Sequence, residues 1–206
     1  GVQQTYNAAP TQTMPILPNT RSGSRVIAQF RWGLVPFWAK DIKIGSRLIN
    51  ARSETLAEKP AFRTAYKFRR CLVPTTGFFE WKDQGRGNKK KPMFISMRED
   101  RPFAFAGLWE RKELAAGELL HTFTIITTAP NELMSQLHHR MPVILHERDY
   151  DAWLDVGLSD RAKLDPLLVP YPDGEMIAWE VDTMVNNVRH DEASLIVPLE
   201  GGLRLQ

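Results

Sequence analysis

Apolar positions along this chain fall in short runs, most of four to eight residues, separated by polar and proline- or glycine-rich punctuation. That pattern predicts many short strands and few helices. Met14 to Leu17 reads as a strand inside a polar, proline-rich stretch from Pro10 to Ser24, and Arg25 to Trp32 as a second strand. Gly33 to Trp38 is a turn region ending in large aromatics, followed by a short extended stretch from Arg47 to Arg52. Glu58 to Phe68 has helical spacing, with Pro60 in its first turn and Phe62, Ala65 and Tyr66 on one face. Cys71 to Pro74 and Gly77 to Lys82 are apolar enough for buried strands; Met93 to Met97, Phe103 to Trp109 and Leu120 to Thr128 follow as further strands. Beyond these come a helix opened by Pro130 and running through Leu137, and a strand stub at Val143 to Leu145. Helices over Glu147 to Leu154 and Ser159 to Leu168, the second with Ser159 as N-cap, lead to closing strands at Met176 to Val181 and Ser194 to Val197.

Without regular strand–helix alternation, this order argues for an α+β fold, a compact antiparallel barrel-like β core with short peripheral helices. The 206 residues show no internal repeat and no interior linker, so one domain over 1–206 is expected. A hydrophobic fraction of 43% is enough to fill its core. The formal charge of +3 permits a polyanionic partner without requiring one. One cysteine excludes an internal disulfide and a thiolate-rich zinc site, and fits a cytoplasmic location. No apolar run reaches membrane-spanning length. The opening Gly1-Val2-Gln3-Gln4-Thr5-Tyr6 has no initiator Met and reads as the middle of a fold, so a native segment is expected to precede it.

Three clusters place a costly polar group in an apolar, strand-like setting: Asn50-Ala51-Arg52-Ser53-Glu54, Gly77-Phe78-Phe79-Glu80-Trp81 and His138-His139-Arg140-Met141-Pro142. Asn50 is either a turn residue capping its own backbone or an amide that orients a substrate oxygen. Arg52 shares its face if the backbone stays extended. Glu80 is either solvated, a reading that Lys82 on the same face favours, or held in a desolvated pocket that suits a general acid or base. His138 and His139 should point apart on extended backbone, which makes them a poor metal pair; one of them follows a helix end, as a core histidine or a site residue. Cys71 reads as core, Lys89-Lys90-Lys91 as a solvated hairpin tip, and Phe37 with Trp38 as core unless the turn after Pro36 exposes them.

These clusters occur in order with Tyr6-Asn7-Ala8-Ala9-Pro10, Trp32-Gly33-Leu34-Val35-Pro36 and Arg70-Cys71-Leu72-Val73-Pro74. Together they resemble the SRAP family (SOS response-associated peptidase, also called abasic site processing proteins), over nearly the whole chain from Tyr6 to about Pro198. The resemblance implies a barrel-like α+β domain that binds single-stranded DNA and captures abasic sites. No cofactor, metal or membrane partner is expected, and a monomer is expected. The family nucleophile is a cysteine directly after the initiator Met. Its amine and thiol attack the open-chain sugar aldehyde in turn, giving an imine and then a thiazolidine. Carried over by motif, Asn50 holds the sugar or phosphate, Glu80 manages the proton of the terminal amine, and His138 acts as acid on the sugar-ring oxygen. Arg52 and Arg140 bind flanking phosphates, Trp38 stacks near the unpaired base step, and Pro10 and Thr127 line the DNA groove.

The departure is the family's opening Met-Cys-Gly-Arg, which these 206 residues do not contain; Cys71 falls at a core position of the family. The chain as it stands is therefore expected not to form the covalent adduct. Two further functions stay open at this level: a thiol autopeptidase or protease, and a non-covalent single-strand binding module.

Overall fold

The computed structural model of the chain describes residues 4–206. Among them the short apolar runs become twelve strands: β1 (Thr13–Pro18), β2 (Ala28–Trp32), β3 (Asn50–Arg52), β4 (Arg70–Thr75), β5 (Gly77–Lys82), β6 (Lys91–Met97), β7 (Phe103–Glu113), β8 (Leu119–Thr128), β9 (Met141–Pro142), β10 (Ile144–Leu145), β11 (Met176–Glu180) and β12 (Arg204–Leu205). The α-helices are one or two turns long: α1 (Arg63–Phe68), α2 (Glu132–Ser135), α3 (Tyr150–Leu154) and α4 (Arg161–Leu164).

Five strands close into a barrel in the order β7-β4-β1-β2-β8, with β8 pairing back onto β7. The fold is the expected α+β core with small helices, but the barrel is mixed. β2 and β3 both run parallel to β8, while β7–β8, β4–β7, β1–β4 and β1–β2 are antiparallel. Parallel neighbours need long connections, and the segments between β2, β3 and β8 supply them. A second sheet, β12-β11-β6-β5, is fully antiparallel. One apolar core joins the two sheets: Ile16, Phe30, Phe105 and Phe123 of the barrel share a cluster with Met93, Ile95 and Met176 of the second sheet.

Several elements differ from the sequence expectation. The second strand begins at Ala28 rather than Arg25, and Val26 and Ile27 are exposed. The β1–β2 register ends at Ile16↔Ala28, after which Leu17 and Pro18 pair with β4 on the other side. The helix expected from Glu58 starts only at Arg63, because turns through Thr55 and Lys59 take up its first half. Asp160, not Ser159, caps α4, accepting from the Ala162 N–H. Ser194–Val197 is not a strand; Ala193–Ile196 forms a 3-10 turn with only Leu195 buried. A four-residue apolar run does not by itself distinguish these outcomes. β5 is half-buried throughout rather than buried.

Two features stiffen the frame. Gly33 (φ +117°) and Gly45 meet backbone to backbone, and a Cβ built on either would lie 2.6 Å from the other's carbonyl oxygen. This contact folds the loop that carries Phe37 and Trp38 against the 3-10 helix Ile42–Arg47. Arg70, fully buried at the start of β4, donates to the carbonyls of Trp153 (2.6 Å), Tyr66 (3.0 Å), Lys67 (2.7 Å), Leu158 (2.8 Å) and Asp155. Its guanidinium lies 5.6 Å from the centroid of the Trp153 ring. Burial pulls the Arg70 pKa down, but the ring of carbonyl acceptors compensates the charge.

Arg70→Met should leave those carbonyls without a donor and cost about 3 kcal/mol, a fall in Tm of roughly 6–12 °C. Differential scanning calorimetry checks this; an unchanged Tm would show that α1 and the 153–158 segment do not depend on the guanidinium.

Candidate active site

Glu80 owes its position to the alternation of β5. Phe79 and Trp81 pack on one face, into the small cluster with Phe94 and Val185, while Phe78 packs on the other against the main core. Glu80 is on the Phe78 face, opposite Met93 of β6, which is fully buried. Its side chain is 24% exposed, so it stands at the rim of the core rather than on a solvated outer face. Oε1 accepts from the Trp81 N–H at 3.1 Å. Lys82, which alternation made an argument for solvation, instead reaches across and donates from Nζ to the Gln136 carbonyl at 2.5 Å.

That contact ties β5 to the segment carrying His138. Asn131 starts the segment: its side chain accepts from the Met134 N–H (2.8 Å) as N-cap of α2, and its Nδ2 donates to the Tyr171 carbonyl (2.7 Å). After α2 the His138 N–H still bonds the Met134 carbonyl, then the chain bends at His139. His138 Nδ1 lies 3.9 Å from Glu80 Oε2, and the imidazole side chain is 34% exposed. With Nδ1 unprotonated it accepts from the Arg140 main-chain N–H (3.2 Å); with Nδ1 protonated it donates to the Arg140 carbonyl (3.1 Å). Nδ1 therefore has a partner whether or not it carries the hydrogen. The two histidines do not point apart as extended backbone would require: the chain bends at His139 and their rings lie close but tilted, with centroids 4.2 Å apart and planes at 38°.

The other two strands of the site meet on β8. Its C-terminal half pairs with β3 through Asn50↔Ile125 and Arg52↔Thr127, and with β9 through Thr127↔Pro142. Thr127 thus lies between the Asn50–Arg52 strand and the segment following His138. Asn50 and Arg52 are exposed on the same face with Ala51 buried between them, the arrangement expected of extended backbone. Neither side chain makes a hydrogen bond or ion pair among the described residues. Arg140 links all three segments. Its guanidinium grips Glu54 by two bonds (2.6 and 2.9 Å) and the Thr127 carbonyl by a third (2.6 Å). The hydrogen bond from Arg140 holds the Glu54 carboxyl below its usual pKa, outweighing burial. Glu54 was legible only as part of a motif; its pairing with Arg140, 86 residues away, leaves no local trace in sequence.

Pro10 and Trp38 lie near the end of β2. The turn containing Pro10 is tied to Trp32 through Thr11 N–H to Trp32 O and Trp32 N–H to Gln12 O, both 2.9 Å. Within it Thr11 adopts φ +75°, a strained conformation for a β-branched residue. Phe37 and Trp38 are 58% and 50% exposed, which removes them from the core and leaves their faces free to stack on a ligand. No contact joins Pro10 or Trp38 to the Glu80–His138 pair among the described residues. Behind the site, Asn7 donates from Nδ2 to the carbonyls of Val185 (3.1 Å) and His190 (3.0 Å). Asp191 accepts from the hydroxyl of Thr5 (2.9 Å) and the N–H groups of Tyr6 (2.5 Å) and Asn7 (2.9 Å). Asn186, in the same C-terminal segment, holds the Trp81 indole at 2.7 Å. Residues 5–7 are thereby fastened to the segment that braces the end of β5; Asp191 carried no signal in sequence. The expectation for the opening residues Gly1–Gln3 lies outside the described residues.

Cys71 is fully buried, and burial pushes its thiol pKa far up, so it is a core residue with no thiolate to offer. Among the described residues no group of three or more His, Cys, Asp or Glu side chains is placed to hold a metal ion, and no helix is long and apolar enough to cross a membrane. Cavities of about 230 and 140 Å³ open beside Asn19 and Asp151 and beside His146 and Tyr171. Neither is lined by Asn50, Glu80 or His138.

Comparison with known proteins identifies the family and the fold. The family model described as SOS response associated peptidase (SRAP) matches residues 1–188. The chain is 44% identical over 191 residues to the abasic site processing protein YoqW of Bacillus subtilis, covering 93% of this chain and 84% of that protein. It is 34% identical to the abasic site processing protein HMCES of Gallus gallus, covering 96% and 67% of the two chains. A crystal structure of a protein from Bacteroides thetaiotaomicron superimposes with a TM-score of 0.83 at 32% identity, covering 92% of this chain and 82% of that one. With the ordered motifs, the barrel and these matches in agreement, the chain belongs to the SOS response associated peptidase (SRAP) family.

Proposed function

We propose that this domain acts in DNA repair by binding single-stranded DNA and presenting an abasic sugar for covalent capture by an N-terminal cysteine, one not found among these 206 residues. The reading is carried by the Glu80–His138 pair, a carboxylate and an imidazole 3.9 Å apart and both partly exposed. It is supported by the names of the relatives, abasic site processing proteins. The amine condenses with the sugar aldehyde and releases water. The thiol then adds across the C=N bond and its proton passes to nitrogen, so thiazolidine closure needs no oxidant or reductant. The imine that would drive β-elimination is consumed in that step.

In this mechanism Glu80 takes the proton from the terminal ammonium and His138 protonates the sugar-ring oxygen as the ring opens. Asn50 orients the sugar or phosphate, donating and accepting through one amide. Arg52, exposed and without a partner among the described residues, is the available guanidinium for a flanking phosphate. Arg140 contributes to the same phosphate track while Glu54 holds its fork in place. Thr127 and Pro10 line the groove and Trp38 stacks on a base at the lesion.

Full-length protein carrying the N-terminal cysteine should migrate as a stable adduct with abasic single strands on a denaturing gel. Changing that cysteine to Ala should abolish the adduct, whereas Cys71→Ala should retain it. An adduct that survives loss of the terminal cysteine would overturn the assignment of the nucleophile. N-terminal trimming seen by intact mass without DNA would favour autopeptidase activity instead. Arg52→Gln should lower the slope of log K against log salt for single-stranded DNA by about 0.7, the loss of one phosphate contact. An unchanged slope would remove Arg52 from the DNA interface.

A further inference from the structure

The loop and 3-10 helix between β2 and β3 hold large apolar side chains out in solvent on a fixed frame. Beside Trp38, Phe37 is 58% exposed and Ile42 36%. Beneath them Leu34, Val35 and Ala39 are buried. The backbone is pinned at several points. The Val35 N–H donates to Thr122 Oγ1 (2.9 Å), the Leu34 N–H to the Leu48 carbonyl (3.1 Å) and the Ala39 N–H to the Pro36 carbonyl (2.9 Å). Lys112 of β7 reaches across to the Phe37 carbonyl (3.3 Å). Together with the Gly33–Gly45 contact, these bonds present Phe37 and Ile42 outward, although water is the poorer solvent for both.

The same segment is cationic. Between Gly33 and Arg52 stand Lys40, Lys43, Arg47 and Arg52 against a single acid, Asp41. All four cations are exposed, and none forms an ion pair among the described residues. Asp41 caps the 3-10 helix, accepting from the Lys43 main-chain N–H (2.9 Å) rather than from a lysine ammonium. Arg47 ends that helix, and Leu48 and Ile49 alone separate it from Asn50. Their carbonyls are held by the Leu34 N–H and by the Trp32 indole (2.9 Å). The ridge therefore runs without a break into the strand that carries Asn50 and Arg52. Cations strung beside an exposed aromatic ring supply both elements of a single-strand site, charge for the backbone and a flat face for the bases. Continuity with Asn50 and Arg52 favours that occupant over an acidic protein surface, which would answer the charge alone.

We propose that residues 37–47 form a second stretch of DNA-binding surface, in which Phe37 stacks on a base and Lys40, Lys43 and Arg47 contact phosphates of the strand where it continues past Asn50 and Arg52. The proposal rests on the reading that Asn50 and Arg52 lie against single-stranded DNA. Lysine ammonium groups bind phosphate as point charges, so this track holds the backbone and carries no sequence preference. Its consequence is a footprint longer than the lesion and its flanking phosphates. Asn50, Glu80 and His138 serve the abasic sugar, and the ridge sets how much single strand the protein holds beside it.

Binding of intact deoxythymidine oligomers of about 6, 10 and 15 nucleotides, each titrated against salt, tests the ridge. The variant Lys40→Gln/Lys43→Gln/Arg47→Gln should lower the slope of log K against log salt by about 2, three contacts at roughly 0.7 each. Its affinity should also stop rising at a shorter oligomer than that of the wild type. Arg86→Gln/Lys89→Gln/Lys90→Gln removes the same formal charge from the exposed β5–β6 loop and should leave the slope where it was. Phe37→Ala should weaken binding about fivefold or more. An unchanged slope in the ridge variant would overturn the proposal and leave the ridge to an acidic protein partner or to solvent. An equal fall in the loop variant would overturn it in favour of net charge, and a Phe37→Ala affinity equal to that of the wild type would overturn the stacking. Adduct formation by full-length protein carrying the N-terminal cysteine, assayed in parallel, separates this from the functional reading. The expected slope changes with no wild-type adduct overturn covalent capture and keep the ridge; a normal wild-type adduct with unchanged slopes overturns the ridge alone.

Discussion

The pairing of β8 along both edges is the constraint on which the site depends. A strand has only two edges, and β8 gives its N-terminal stretch to β7 and β2 to close the barrel. Its last residues are then free to pair with β3 and β9, which deliver Arg52 and Pro142 to opposite sides of Thr127. A one-residue slip on either side would turn Asn50 and Arg52 into the core and Ala51 out of it. The candidate site is in this sense a by-product of how the barrel ends.

Side-chain bonds then hold what the backbone has assembled. The Arg140 fork spans Glu54, Thr127 and its own loop, so a single guanidinium braces all three segments. The Lys82 contact to Gln136 does the same between β5 and the α2 loop. Neither contact reaches the Glu80–His138 pair itself, whose two members remain partly exposed and 3.9 Å apart. The bonds brace the segments around the pair and leave the pair itself accessible.

Sheet membership was harder to read than strand location. β5 is legible to the residue as Gly77–Lys82, yet its half-burial follows from having one side on the main core and the other on a smaller cluster. The 193–196 segment shows the opposite case, a run apolar enough for a strand that finds no partner and curls into a 3-10 turn. The exposure of Phe37 and Trp38 depends on Gly33 meeting Gly45, a close approach that composition does not announce.

Local pattern alone determined the α+β class, most strand positions and the identity of the polar residues that stand in apolar runs, because alternation and burial cost act within a few residues. Asn50, Arg52, Glu80 and His138 were all visible for that reason. Tertiary structure alone decided the parallel pairing onto β8, the Arg140–Glu54 fork, the Asp191 anchor of residues 5–7 and the close approach of the His138 and His139 rings. The first three join segments far apart in the chain, and the last depends on a bend imposed by the segment's attachments to α2 and β9. Such contacts are set by the three-dimensional path of the backbone, which spacing along the sequence does not encode.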